Sequence, residues 1–442
     1  MSIAVVGSGV SGLSAAWLLS SRHDVTLYEA DARFGGHGNT VDAPTSLGPT
    51  PVDTGFIVYN ENTYPNLMAM LRHLDVATKP SDMSFAVSID DGALEYAGTD
   101  LWGLFAQRAN LLRPRFWSML RDLLRFYREA PGDMAALGLA SLDDYLARKG
   151  FGAAFREDHL YPMAAAIWST PSGRIGDYPA AAMIRFCENH GLLKISDRPI
   201  WRTIDGGSRV YINKLLAGVS GGARVNAPVR RVARGDDGVV VETADGERRT
   251  FDHVVLASHA DQSLAMLANA DAEETRILSA FRYGDNSAIL HSDPALMPRR
   301  RNAWASWNYL ARRGVSTAPP CVTYWMNNLQ GIPAETPLFV TLNPDREPRA
   351  DLVLKRFDYA HPLFDARAIA AQEQLWSLQG RGNVWFCGAY FGSGFHEDGL
   401  QAGLAVAEQL GGVRRPWSVA DESGRIHVQT PLATSRALEP AS

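Results

Sequence analysis

The 442-residue chain predicts an α/β fold, a parallel sheet flanked by helices and interleaved with an α+β domain. Three observations carry this. Ser2 to Val6 is a short apolar run that enters a glycine turn and then a stretch with helical apolar spacing. A second apolar run, Asp24 to Tyr28, ends on the acid Glu29. A third strand, turn and helix pattern returns near the C-terminus, from Asn383 to Leu410.

The first turn reads Gly7-Ser8-Gly9-Val10-Ser11-Gly12. Gly7 permits the tight turn, Gly9 lets the backbone approach a pyrophosphate, and Gly12 lets the helix pack on the strand. The helix start at Val10 and Ser11 then faces phosphates. Glu29, with Ala30 beside it, stands about twenty residues on, where a carboxylate hydrogen-bonds ribose hydroxyls. Strand, glycine turn, helix, strand and acid in register make a Rossmann-like site far more specific than a lone glycine pattern.

The next elements extend that site. Arg33-Phe34-Gly35-Gly36-His37 sets an arginine and a glycine pair past the acid, one for charge-assisted bonds to a pyrophosphate and the other for backbone that passes over it. Val52-Asp53-Thr54-Gly55-Phe56 follows. Arg202 to Leu216 carries a Gly-Gly turn before a helix. Ala223 to Val232 and Val239 to Thr243 alternate as antiparallel strands around Asp236-Asp237-Gly238, and Phe251 to Ala257 is a buried strand. A hairpin without functional meaning is the other reading of this block. Near the C-terminus a strand at Asn383 to Cys387 leads to a turn from Gly388 to Gly399 and a helix from Leu400 to Leu410.

The Arg33 to Gly36 extension resembles that of the amine oxidase, phytoene desaturase and protoporphyrinogen oxidase superfamily of flavoproteins. The resemblance implies FAD and a domain of the glutathione-reductase/amine-oxidase type. It places Thr54, Gly55 and Phe56 by the isoalloxazine ring and the Val229 backbone by adenine. Gly388 and Ala389 go to the ribityl phosphate, and Phe395, His396, Gly399 and Leu400 to the flavin edge where negative charge gathers on reduction. With Gly7, Gly9, Val10, Ser11, Gly12, Glu29, Ala30, Arg33, Gly35, Gly36 and His37, these form the expected cofactor site.

Gly35-Gly36-His37-Gly38-Asn39-Thr40, Ala305-Ser306-Trp307-Asn308-Tyr309, Thr323-Tyr324-Trp325-Met326-Asn327, Tyr359-Ala360-His361-Pro362 and Gly394-Phe395-His396-Glu397-Asp398-Gly399 are narrower. Together they resemble a bacterial family of FAD-binding, amine-oxidase-like proteins associated with cyclopropane- or methyl-fatty-acid-synthase-like enzymes, over nearly the whole chain to about residue 412. That implies oxidation or desaturation of a modified fatty acyl chain by hydride transfer to the flavin. A flavin amine oxidase and a non-catalytic FAD-binding partner of a lipid-modifying complex are the alternatives. True amine oxidases carry a lysine on a strand matched here to Tyr283 to His291, which has none; Lys355 lies elsewhere. His396, Glu397 and His361 are the proton-handling candidates; the histidine at the ring turn, His396, is also readable as a structural hydrogen-bonding group. Trp307, Tyr309, Tyr324, Trp325, Tyr359 and Phe395 are the expected apolar lining, and Phe395 with Phe357 or Tyr359 would form an amine cage.

Composition bounds the rest. At 46% hydrophobic and 21% charged residues the chain supports two or three domains, expected as a discontinuous FAD-binding domain (1–59, 200–258, 375–412), a substrate domain (60–199, 259–374) and an extension (413–442) ending in a loose tail from Ala433. A net charge of −5 gives no bulk attraction to nucleic acid. Expected partners are a small-molecule or acyl-chain substrate and, beyond it, a membrane surface or a fatty-acid methyltransferase-like enzyme. Leu101 to Ala130, broken near Pro114, reads either as a surface helix on lipid or as one packed on the protein's own core. Cys187, Cys321 and Cys387 are too scattered for a disulfide framework or metal site and read as buried hydrophobes. No secretory signal and no run of about 20 apolar residues is read, so the expected location is the cytoplasm, at most peripheral to the inner membrane face.

Overall fold

The computed structural model describes residues 1–429 except 47, 139, 195, 196 and 316. The expected tail from Ala433 to Ser442 lies outside the described residues. Ser2–Val6 is the centre of a five-stranded parallel sheet ordered Ala223–Arg224, Asp24–Tyr28, Ser2–Val6, His253–Leu256, Val384–Phe386. Ile3 lies opposite Val25 on one side and His253 on the other. Ile3, Ala4 and Val5 are fully buried, as a parallel strand covered on both faces requires. The helix Val10–Leu19 that follows packs on the C-terminal helix His396–Gly411 so closely that a Cβ on Gly403 would sit 2.1 Å from the Ser11 carbonyl oxygen. The two glycine turns, nearly four hundred residues apart, are thereby held against each other.

Three expected elements differ. Ala223 to Val232 is not one antiparallel strand. Ala223–Arg224 extends the parallel sheet against Leu27 and Tyr28, and only Val229–Gly235 joins Gly238–Thr243 and Arg248–Phe251 in an antiparallel sheet. Asn226, at φ 53°, turns the chain between them, and Ala227 N–H donates to the Glu29 carbonyl. Phe251 to Ala257 is likewise divided at Asp252, whose carboxylate accepts from Ser2 N at 2.7 Å. The C-terminal helix starts at His396, four residues earlier than expected, because the Asp398 carboxylate accepts from Phe395 N at 2.7 Å and closes the first turn. Gly399 is thus a helical residue, small enough to rest against Val10.

A seven-stranded sheet, ordered Val353–Leu363, Arg282–His291, Phe339–Leu342, Cys321–Trp325, Trp307–Ala311, Phe85–Ile89, Leu94–Ala97, forms a second layer. Helices Pro114–Asp133, Leu142–Arg148, Tyr161–Trp168 and Ala180–Asn189 share a hydrophobic core with it. The expected boundary at 59/60 falls within, and that at 199/200 just before, a strand of a small sheet of Tyr59–Asn60, Trp201–Ile204 and Thr78–Ser81. Residues 413–429 are irregular yet pinned: the Arg425 guanidinium pairs with Asp398 at 2.6 Å, the buried Arg415 bonds Glu408 and Asn66, and Trp417 stacks on Trp17. The three cysteines are buried and unpaired. Among the described residues no helix is long and apolar enough to cross a membrane.

Candidate functional site

A cavity of about 1080 Å³ runs between the parallel sheet and the large mixed sheet. One end is walled by Gly7, Gly9, Val10, Ser11, Glu29, Ala30, Arg33, Gly36 and Val229. Gly7 holds φ +103°, where a Cβ would press on the Ala257 carbonyl at 2.9 Å; at Gly9 a Cβ would meet nothing within 4 Å, so this backbone is bare toward the cavity. The helix beginning at Val10 has no side-chain cap and no acid in its first turn, leaving its positive end for a ligand anion. Among the described residues the buried Ser11 hydroxyl has no hydrogen-bond partner beyond the adjacent Cys387 thiol. Arg33 makes a long 3.5 Å bond to the Gly38 carbonyl and has no acidic partner among the described residues. Glu29 accepts from Ser8 N and Asp31 N, both at 2.9 Å, and from the Ser8 hydroxyl, which fixes its carboxylate at the wall. Uncapped amides, bare backbone, an unpaired guanidinium and an anchored carboxylate fit a dinucleotide.

Four expected cofactor residues stand behind this wall. A Cβ on Gly12 would lie 1.9 Å from the Gly7 carbonyl oxygen, so Gly12 sets helix against strand. Gly35, at φ +115°, shapes the loop against Gly38; Gly399 rests on Val10, and Leu400 is buried in the core.

The middle of the cavity gathers His37, Thr54, Gly55, Phe56, Tyr359, His361, Gly388, Ala389, Phe395 and His396. Tyr359 ties three segments together, its hydroxyl accepting from Asn39 Nδ2 at 2.8 Å and lying 2.9 Å from Thr54 Oγ1. His37 stacks on Tyr359 with ring centroids 4.9 Å apart and lies 5.3 Å from the His361 ring. Burial pushes the His361 pKa down to about 4 and the His396 pKa to about 3, and moves His37 well below its ordinary value. All three imidazoles are neutral near pH 7.

Their partners decide what they can do. His361 Nδ1 lies 3.2 Å from Asn286 Nδ2, whose amide is oriented by Asn343 donating to its oxygen at 2.7 Å; Nδ1 therefore accepts and the proton sits on Nε2. His396 lies flat on Phe56, centroids 3.8 Å apart, with Nε2 2.7 Å from the Tyr211 hydroxyl. Glu397 is corrected from a proton-handling candidate. It is fully buried off the cavity, and its carboxylate accepts from Asn66 N, Asn66 Nδ2, Leu67 N and Gln401 Nε2. Three of these four bonds hold the helix start to Pro65–His73, and the fourth ties it to Gln401 one turn on.

The far end is walled by Met163, Ile167, Trp168, Phe186, Trp201, Trp307 and Tyr324. Two expected lining residues are corrected. Trp325 follows Tyr324 on a strand and so points to the opposite face, edge-on to Trp304. Tyr309 shares a face with Trp307 but is buried, its hydroxyl at Ser172 of the covering turn. No lysine lines the cavity among the described residues; Tyr283 is what Arg282–His291 presents, and Lys355 is exposed. Phe357 is off the wall, leaving Tyr359 and Phe395 as the candidate aromatic pair. Sequence reading missed Tyr211, Asn286 and His190, polar residues on elements that carry no motif. His190 has one faint signal, its four-residue helical spacing from Phe186, on which it stacks.

A family model described as flavin containing amine oxidoreductase matches residues 10–290. The chain belongs to this family. It is an FAD-dependent oxidoreductase. Among solved structures it is similar to a CLA-producing fatty acid isomerase from P. acnes, at 16% identity and TM-score 0.64 over 92% of this chain and 97% of that one. Putrescine oxidase bound to putrescine matches at 14% and 0.65, covering 93% and 99%, and cyclohexylamine oxidase from Brevibacterium oxydans at 16% and 0.65, covering 92% and 99%. At such identities these likenesses establish the shared fold. No curated protein matches in sequence.

Proposed function

We propose that this flavoenzyme oxidises or desaturates a fatty acyl chain, with FAD lying from the Gly9 turn to His396. Gly7, Gly9, Val10 and Ser11 would hold the pyrophosphate with Arg33, Glu29 the ribose, Val229 the adenine, and Thr54 to Phe56, Gly388, Ala389 and Phe395 the ring. Bound FAD supplies a hydride acceptor. The protein's share is to bind the chain, exclude water and keep His361 and His396 neutral.

The observation that carries the acyl reading is the far wall, dominated by aliphatic and aromatic side chains, with Ser84, Ser169 and the neutral His190 among them and no carboxylate. The acids on the whole cavity surface are Glu29 and Asp31 at the nucleotide end and Asp358, which is exposed. A protonated amine would be desolvated there without a counter-charge, whereas an acyl chain gains from burial at about 25 cal/mol per Å². Trp307 Nε1 is buried without a partner, a donor suited to an acyl carbonyl. The shared fold of a fatty acid isomerase adds support. A fatty-acid methyltransferase-like enzyme would then supply the substrate.

Amine oxidation is the second reading, favoured by Tyr359 and Phe395 on one wall. Anaerobic titration of the flavin absorbance separates them. Methyl-branched or cyclopropane phospholipids bleach the flavin and a panel of amines does not; bleaching by amines alone replaces the proposal, and bleaching by neither points to a non-catalytic FAD-binding partner.

A further inference from the structure

We propose that the stretch from Leu101 to Arg128 docks the protein on an anionic membrane surface. Gln107 and Asn110, its amide side chains, are buried and serve the neighbouring hairpin: Gln107 Oε1 accepts from Glu95 N at 3.0 Å, and Asn110 Nδ2 donates to the Glu95 carbonyl at 3.0 Å. Six of its large apolar side chains face solvent. Of the eleven exposed large hydrophobic residues in the described chain, six fall between 101 and 124: Leu101, Trp102, Leu111, Leu112, Trp117 and Leu124. Leu112 is 87% exposed and Trp102 75%. A core-packed helix needs no such display, and a hydrophobic cluster of this size in water marks an interaction surface.

The pieces are contiguous. Trp117 Nε1 donates to the Leu111 carbonyl at 2.9 Å, and its ring lies 5.7 Å from Phe105, in the turn after Leu101–Leu104. On the helix Pro114–Asp133, Trp117, Arg121, Leu124 and Arg128 follow at spacings of four, three and four, one exposed stripe of alternating apolar and basic residues. Phe116, Met119 and Phe126 take the opposite face into the core, so the core-packed reading accounts for that face alone and leaves the exposed stripe uncovered.

Charge selects the occupant. Residues 101–130 hold six arginines and two acids in a chain of net charge −5. Arg108, Arg121 and Arg128 are exposed, whereas Asp122 is buried; Glu129 is half-buried, and the facing Glu157 pairs with Arg115 at 2.7 Å. Arg301, on the short turn packed against Leu101–Leu104, adds an exposed cation stacked over Trp304. Tryptophan and leucine rimmed by arginine match the interface of a bilayer with anionic headgroups. This stands apart from the substrate reading, since the patch is not part of the cavity wall.

The test is co-sedimentation of the full-length, FAD-loaded protein with vesicles of phosphatidylcholine alone or mixed with phosphatidylglycerol. The expected result is binding to the anionic vesicles, weakened by salt, and reduced about tenfold or more by the pair Trp102→Ser and Leu112→Ser. Those positions are exposed, so flavin content and circular dichroism stay as in the wild type. Absence of binding, or unchanged binding by the double variant, overturns the proposal. So does light scattering that shows a dimer split by the same substitutions, which would make a second copy the occupant.

Discussion

The two ends of the cavity are built in opposite ways. The nucleotide end is mostly backbone: bare Gly9, the uncapped amides of Val10–Leu19 and an anchored Glu29, all within thirty residues of the N-terminus. The far end is lined by large side chains contributed by helices Tyr161–Trp168 and Ala180–Asn189, the strand Trp201–Ile204 and two strands of the large sheet. One end tolerates almost no change in shape, and the other is set by the apolar character of its lining.

The largest effect is expected where backbone touches backbone. Gly12→Ala would place its Cβ 1.9 Å from the Gly7 carbonyl oxygen, a contact that no side-chain movement relieves. We expect about 3 kcal/mol of lost stability and colourless protein, read by denaturant unfolding and flavin absorbance. Gly9→Ala has open space for its Cβ and should unfold with the wild type while binding FAD roughly thirtyfold more weakly, about 2 kcal/mol. If both variants lose stability alike, the division between packing and ligand glycines fails.

The same contrast explains what could be read from the chain. Gly7, Gly9, Gly12 and Glu29 were legible because a turn against backbone admits only certain residues at fixed spacing. The positions of Tyr324 and Trp325 were not, since a motif does not say which of two neighbours on a strand faces inward. Glu397 looked like chemistry because it sits beside His396, yet its donors come from Asn66 and Leu67, some 330 residues away in sequence. Tyr211 and Asn286 were silent for the same reason: their roles exist only through the partners that folding brings them.

Glu397 gives the next test. Glu397→Ala leaves four buried donors facing an apolar gap, at a cost of about 2 to 3 kcal/mol in unfolding free energy. Turnover per bound flavin should change by no more than about twofold, whereas a proton-handling residue would lose about a hundredfold. Arg33→Ala tests the nucleotide end in turn. Arg33 has no acidic partner to strand, so stability should hold within about 0.5 kcal/mol while FAD affinity falls about tenfold, measured by fluorescence titration of the apoprotein.

The smallest effect tests the dryness of the far end. His190 is buried on that wall, its Nδ1 2.9 Å from the Phe186 carbonyl and its Nε2 without a partner. Burial, with the Arg425 charge second, lowers its pKa from 6.5 to about 4. Between those values the unfolded chain takes up a proton that the folded one refuses. The contribution is therefore complete above pH 6.5 and is lost as pH falls toward 4, with a slope approaching about 1.4 kcal/mol per pH unit. Asp53, raised to about 6 mainly by burial, acts in the opposite sense, favouring the folded state below pH 3.8 and losing that contribution as pH rises through 6. The raw stability profile mixes these two with the other buried histidines, His361 and His396 among them, and the difference between wild type and His190→Phe isolates His190. Phenylalanine keeps the ring stacked on Phe186 and cannot titrate. A difference curve that slopes between pH 6.5 and 4 means the far end excludes water enough to hold an imidazole neutral, as an acyl-chain site must. A flat curve means water reaches His190, and the apolar wall then loses its claim to select against charge.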